Sequence, residues 1–200
     1  CFLIAGTIRK STEHRLAVVR ARLEQAVADE LKARIETAHS MAQSFYEAGR
    51  SEVECRAYID ALRFGDNNYV SAHIVDPERL NSAFMVVHAA TNLVNKDLSG
   101  LIDLNRVGYL YYDDTNYVKG SEAVAHVQPT DIFTEFNRVC LSQGEGVVRY
   151  YWPKVVEGVA GDIGYLKVSY VKYFEPWNWV LGAGAYADHV DLIVVGEESM

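Results

Sequence analysis

Few residues in this 200-residue chain are of types and spacings that do chemistry. Three cysteines, Cys1, Cys55 and Cys140, form no CxxC and have no histidine at metal spacing, which argues against a zinc or thioredoxin-type site. The six histidines, at 14, 39, 73, 88, 126 and 189, are scattered, and only His73 and His88 fall on neighbouring strand candidates where they can face each other. Two histidines without a carboxylate neighbour do not make a metal site, and no metal or cofactor is expected. Gly158-Val-Ala-Gly161-Asp-Ile-Gly164 is glycine-rich but lies between two strand candidates, so it reads as a hairpin loop and not as a phosphate cradle. Asp113-Asp114-Thr115-Asn116 lacks the later ligands and closing Glu of a calcium loop, and there is no GxSxG or HExxH. No catalytic set emerges. A pairing of Asp131, Glu135 or Glu145 with a histidine has no support in the spacing.

Tyrosine is the chemically notable residue, with 13 Tyr beside 7 Phe. Buried phenols need hydrogen-bond partners and often line polar pockets. The 19 Lys+Arg against 27 Asp+Glu leave a charge of −8, the wrong sign for a nucleic-acid binder or for adhesion to an anionic membrane.

The elements that must position these residues follow from periodicity. Between Arg9 and Gly49 there is no Pro or internal Gly, and Leu16, Val19, Leu23, Val27, Leu31, Ile35, Ala38, Ala42 and Phe45 form one helical stripe. Forty residues at ~1.5 Å each make a rod of roughly 60 Å, longer than one small domain needs. Residues 1–48 are therefore expected to serve as a membrane-proximal, dimer-forming helix, and the apolar start from Cys1 to Ile8 reads as the trailing edge of a membrane span or as an apolar helix start. Ser51 with Glu54 has the form of a capping box for a second helix reaching Ala61 or Arg63. Tyr69 to Val75 and Ala83 to His88 predict a hairpin with a six-residue connection. Gly108 to Tyr112 reads as a short strand. Asp131 to Leu141 predicts a helix capped by Thr130, and strands follow at Gly146–Trp152, Ile163–Phe174 and Trp179–Tyr186, with a short helix at Ala187–Val195. Helices followed by a run of antiparallel strands predict an α+β domain.

Four ordered segments carry a resemblance. Ala61-Leu-Arg63-Phe-Gly65-Asp-Asn-Asn-Tyr69 resembles an "LRYG…(N/G)Y" entry, and Met85-Val-Val-His88 with Lys96-Asp-Leu98 resembles "M-x-x-H-P … G-K-D-L". Gly144-Glu-Gly146-Val-Val-Arg-Tyr150-Tyr-Trp152-Pro-Lys154 resembles "G-x-G-(F/V)-x-x-Y-x-W-x-K". The stretch from Leu166 to Asp188, through Lys167, Tyr170, Lys172, Trp177, Trp179, Gly182, Gly184 and Tyr186, resembles "K-x-x-Y-V-K-x-F-x-x-W-x-W-V-(I/L)-G-x-G-x-Y-x-D-D". Together they resemble the single-Cache domains, extracytoplasmic sensor modules of bacterial chemoreceptors and sensor kinases. Ala89 stands where that pattern has Pro, Asn95 where it has Gly, the His-to-Lys interval is one residue shorter, and 105–128 reads as an insertion.

The resemblance implies a long N-terminal helix and a second helix packed on an antiparallel PAS-like sheet of five to six strands. It places the sensor module at 49–191 and a segment leading to the next membrane helix at 192–200. It implies a homodimer through the N-terminal helix, flanking transmembrane helices, an inner-membrane protein with this domain periplasmic, and no catalysis. The implied ligand is a C2–C4 carboxylate such as acetate, propionate, lactate or pyruvate. A soluble solute-binding protein or enzyme of related fold, or a ligand-free dimerisation domain, is the alternative. The expected pocket lining is Tyr69, His88, Lys96, Tyr150, Trp152, Lys167 and Tyr170. Strand alternation puts Lys167 and Tyr170 on opposite faces, so both enter one pocket only if the strand twists or bulges.

Overall fold

The computed structural model describes residues 2–65, 68–101 and 131–186, with side chains from residue 14 onward except at 16, 17 and 20. Helix α1 runs over Phe2–Glu47 and ends at Gly49, whose φ of 67° is a conformation that glycine adopts without steric cost. Helix α2 covers Glu52–Asp60, with both halves of the Ser51–Glu54 capping box formed. The strands are β1 (Arg63–Phe64), β2 (Asn68–Asp76), β3 (Arg79–Val87), β4 (Glu145–Val156), β5 (Val159–Phe174) and β6 (Trp179–Tyr186), and helix α3 (Ile132–Gln143) precedes β4. The order across the sheet is β1-β2-β6-β5-β4, with β3 also paired to β2, and every pairing is antiparallel.

Several local expectations are corrected. The β2–β3 connection is the two-residue turn Pro77-Glu78, because Arg79 pairs with Asp76 and extends β3 as a solvent-exposed strand end. The loop at 158–164 shrinks to Glu157-Gly158, both at positive φ (50° and 78°) as a tight hairpin turn requires, and Gly161 and Gly164 lie within β5. Helix α3 is capped by Asp131, whose carboxylate accepts from the amides of Phe133 and Thr134. The strand expected at 108–112, the insertion at 105–128, Thr130 and the helix expected at 187–195 lie outside the described residues. Asn95 holds φ 60°, so where the resembled pattern has Gly this chain uses the residue best suited after glycine to left-handed backbone.

Side-chain alternation on the central strands divides the core. Leu31, Ile35, Ala38, Ala42 and Phe45 of α1, with Cys55 and Ile59 of α2, pack on Val70, Ala72, Tyr170, Phe174, Trp179, Leu181 and Ala183. On the opposite face Ile132, Phe133, Phe136, Val139 and Cys140 pack with Met85, Val148, Tyr150, Trp152, Val171 and Val180. Cys55 and Cys140 are free thiols on opposite sides of the sheet. No helix among the described residues is long and apolar enough to cross a membrane.

Charged groups seat α1 against the sheet. Glu145 of β4 meets Lys32 of α1 at 2.7 Å and Lys172 of β5 at 2.8 Å, while Lys172 also reaches Glu36 of α1 at 2.7 Å. Hydrogen bonding to Lys172, then to Lys32 and Tyr170, holds the Glu145 carboxyl down at about 2. A carboxyl with its folded-state pKa depressed contributes stability that is complete above the unfolded value of about 4.3 and is lost as pH falls toward 2. Glu145→Gln is expected to lower stability at pH 7 and to reduce the fall in stability between pH 4.5 and pH 2, as measured by urea unfolding across that range.

Candidate functional site

Between the sheet and α3 lies a small cavity lined by Tyr69, Ser71 and His73 of β2, Met85 of β3, His88, Ile132, Phe133 and Phe136 of α3, Tyr150 and Trp152 of β4, Lys167 and Ser169 of β5, and Val180, Gly182 and Gly184 of β6. Period-two spacing explains the set, since Tyr69, Ser71 and His73 are alternate residues of one strand and Lys167 and Ser169 of another. The aromatic wall is continuous. Tyr69 and His88 have ring centroids 4.7 Å apart, His88 and Trp152 5.9 Å, Trp152 and Phe133 6.1 Å, and Phe133 and His73 5.1 Å. The cavity volume of about 20 Å³ exceeds the roughly 10–15 Å³ needed for one water, so an occupant of more than a few heavy atoms must push wall atoms aside.

One end of the cavity is rich in hydrogen-bond donors. Lys167 is 3% exposed, and its Nζ donates to the Tyr69 hydroxyl at 3.2 Å and lies 4.4 Å from the Tyr69 ring centroid and 4.9 Å from that of Tyr186. Among the described residues the lining holds no Asp or Glu. Burial without a counter-charge pushes the Lys167 ammonium down to about 7. His88 Nδ1 accepts from the Ala90 amide at 2.9 Å, which places the ring hydrogen on Nε2, from where it donates to the Tyr69 oxygen at 3.0 Å. Desolvation and the neighbouring Lys167 charge hold His88 down at about 3, so this histidine is neutral. The Tyr69 oxygen thus faces the donors of Lys167, His88 and the Trp152 indole, its lone pairs are occupied, and its own hydrogen is left to point elsewhere. The Tyr150 hydroxyl pairs with Ser169 Oγ at 2.8 Å, and two hydroxyls sharing one hydrogen bond leave a further hydrogen.

Gly184 makes room for this group. A Cβ there would sit 2.1 Å from Ser169 Oγ, 2.7 Å from Lys167 Cε and 2.9 Å from the Val168 carbonyl. The backbone of β6 therefore forms the floor under the Lys167 side chain, a close approach that only glycine permits.

Of the seven residues expected from the sequence, Tyr69, His88, Tyr150, Trp152 and Lys167 line the cavity. Lys96 and Tyr170 do not. Lys96 pairs its backbone carbonyl with the Met85 amide while its side chain is exposed to solvent. Tyr170 lies on the α1 face, where Lys32 Nζ is 5.4 Å from its ring centroid and Glu145 is its hydrogen-bond partner. The strand neither twists nor bulges enough to bring Tyr170 round, so alternation decides against it. Other cations of the matched segments are engaged elsewhere, with Arg149 on Glu24, Lys172 on Glu36 and Glu145, and Arg63 on Asp60. Ser71 and Ser169 can be found by stepping two residues from Tyr69 and Lys167. Ile132, Phe133 and Phe136 are legible as an apolar helix face, but nothing local says that this face closes a cavity.

Residues 48–191 match the Cache domain family model. The chain belongs to the Cache domain family. A segment of 59 residues, 30% of the chain, is 37% identical to the methyl-accepting chemotaxis protein McpP of Pseudomonas putida, and the match spans about 10% of that longer protein. Among solved structures the fold is similar to a periplasmic sensor domain of a chemotaxis protein (25% identity, TM-score 0.52, 88% of this chain and 96% of the other). It is also similar to a methyl-accepting chemotaxis protein from Vibrio parahaemolyticus (20% identity, TM-score 0.63, 88% and 99%). A third similar structure is of a Cache chemosensory domain that recognises carboxylic acid (24% identity, TM-score 0.56, 83% and 97%). At 20% and 24% the last two show the fold alone. This Cache domain is a single sheet with its long helix on one face and its cavity on the other.

The chemistry of Lys167 sets the sign of a pH effect. Its folded-state value of about 7 lies below the roughly 10.4 of an unfolded chain, so between these values the unfolded state binds more protons and stability rises with pH. The unliganded domain is expected to gain stability from pH 7 to pH 9. In Lys167→Met that gain should be markedly smaller, as read from urea midpoints at each pH.

Proposed function

We propose that this domain is the extracytoplasmic ligand-sensing module of a transmembrane signal transducer, a chemoreceptor or sensor kinase, and that it binds a C2–C4 monocarboxylate in the cavity around Lys167. The supporting observation is a buried ammonium surrounded by further donors, with no acidic side chain among the described lining residues. An ammonium in such a place is costly until an anion joins it. A carboxylate accepts from several donors at once, and charge-assisted bonds to Lys167 and Tyr69 would fix its orientation. A Cache chemosensory domain that recognises carboxylic acid shares this fold.

Size favours small acids. The best tiny ligands gain up to about 1.5 kcal/mol per heavy atom, which gives acetate roughly 6 and pyruvate or lactate roughly 9 kcal/mol. Micromolar binding requires about 8.2 kcal/mol. A three-carbon acid in a closed cavity reaches that range only if nearly all of its atoms are contacted. The formal charge of −8 does not attract anions, so the pull must come from the cavity itself. In this reading α1 carries the signal, and the long helix joins the domain to its dimer mate and to the membrane.

Calorimetry with acetate, propionate, lactate and pyruvate tests the proposal. At least one is expected to bind at micromolar to low-millimolar affinity, with proton uptake at pH 8 as the ammonium is recharged and with weaker binding as pH rises further. Lys167→Met is expected to fold and to lose the ligand-induced rise in melting temperature. A domain that binds none of these acids, or a Lys167→Met variant that binds them as tightly as the wild type, would sink the reading.

A further inference from the structure

The cavity is chemically asymmetric along β2. At the Tyr69 end donors are in surplus, whereas at the other end every side-chain hydrogen among the described residues is already committed. Asn137 of α3 uses both amide hydrogens, donating to the Leu80 carbonyl at 2.6 Å and the Ser82 carbonyl at 2.8 Å. Turning the amide over would break both bonds, so Oδ1 is fixed facing His73 Nε2 at 2.8 Å. An amide oxygen only accepts, which places the His73 ring hydrogen on Nε2 and leaves Nδ1 with its lone pair. His73 is 3% exposed, and burial pushes it down to about 4, so Nδ1 stays unprotonated at neutral pH. Beside it, Ser71 spends its hydrogen on the Gly182 carbonyl at 3.2 Å. The remaining neighbours, Met85, Ile132, Phe133, Phe136 and Val180, have no hydrogen-bond donor in their side chains.

We infer that His73 Nδ1, with Ser71 Oγ beside it, is an acceptor station that reads the end of the ligand away from the carboxylate and selects hydroxy monocarboxylates over their oxo counterparts. The inference rests on the carboxylate reading above and adds to it a rule for the second functional group. A ligand hydroxyl can donate to the station. An oxo group brings lone pairs against a lone pair, and His73 cannot switch tautomer to receive it while Asn137 holds the other nitrogen. Ser71 can rotate to donate, but only by giving up Gly182. A site built around a hydroxyl discriminates strongly because the analogue lacking it leaves a buried polar atom without a partner. Tyr69, Ser71 and His73 line the same small cavity, so an acid anchored at Tyr69 occupies the space onto which Ser71 and His73 open.

The test is competitive calorimetry on the wild-type domain with lactate against pyruvate and 3-hydroxypropionate against propionate. Lactate is expected to bind about tenfold tighter or more than pyruvate. His73→Phe should bring the two members of that pair to within about threefold while propionate still binds. Binding of propionate with hydroxy and oxo acids equal in the wild type overturns the inference and leaves the carboxylate reading standing. A preference that survives in His73→Phe also overturns it. Failure of all four acids to bind removes both. Should His73→Phe not fold, the wild-type ratios decide by themselves.

Discussion

An ammonium held away from water without a carboxylate is the constraint around which this domain is arranged. Lys167 needs a strand to carry it inward, a phenol to receive one of its hydrogens, two aromatic faces to spread its charge over, and an empty space where a Cβ would otherwise be. Three strands meet these requirements between them. Tyr69 comes from β2, Tyr186 and Gly184 from β6, and Lys167 itself from β5, so antiparallel register has to be correct across three strands before the group forms. The pairings of Ser169 with Gly184 and Val70 with Ala183 supply that register.

The same alternation separates the cavity from the face that supports α1. On β5, Lys167 and Ser169 face the cavity while Tyr170 and Lys172 face α1, one residue away along the chain but on the other side of the sheet. The ion network of Lys32, Glu36, Glu145 and Lys172 thus ties the long helix to the strand whose opposite face holds the cavity's cation. Val171 on the cavity face and Leu181 on the α1 face are both fully buried, so close packing is continuous across the sheet.

How far the sequence alone reaches follows the range of the interactions. The long helix, the capping box at Ser51 and Glu54 and the final strand at Trp179–Tyr186 are set by local periodicity and capping, and all three are legible. The β2–β3 turn is not, because Arg79, Leu80 and Asn81 carry no strand signature and are extended only by pairing with a partner. Lys96 misleads for a related reason: the motif that contains it adds backbone bonds to β3, and motif membership says nothing about where a side chain points. Tyr170 is excluded by the period-two argument itself, against the pull of the resemblance. The role of His73 is invisible in the sequence, since it depends on Asn137, 64 positions away, and on how that amide spends its two hydrogens.

Cys55 and Cys140 are almost inaccessible, and burial pushes their thiols up to about 11 and about 12. Cys55 of α2 sits in the layer packed against α1, and Cys140 on the inner face of α3 sits in the layer on the other side of the sheet. A thiol in this state reacts only when its surroundings open, and the rate of labelling then measures that opening. The domain consequently carries two intrinsic clocks, one for each side of its sheet. With one thiol reagent, mass spectrometry can read them separately in a single sample, following the breathing of the helix-packed layer and of the cavity layer without any residue being replaced.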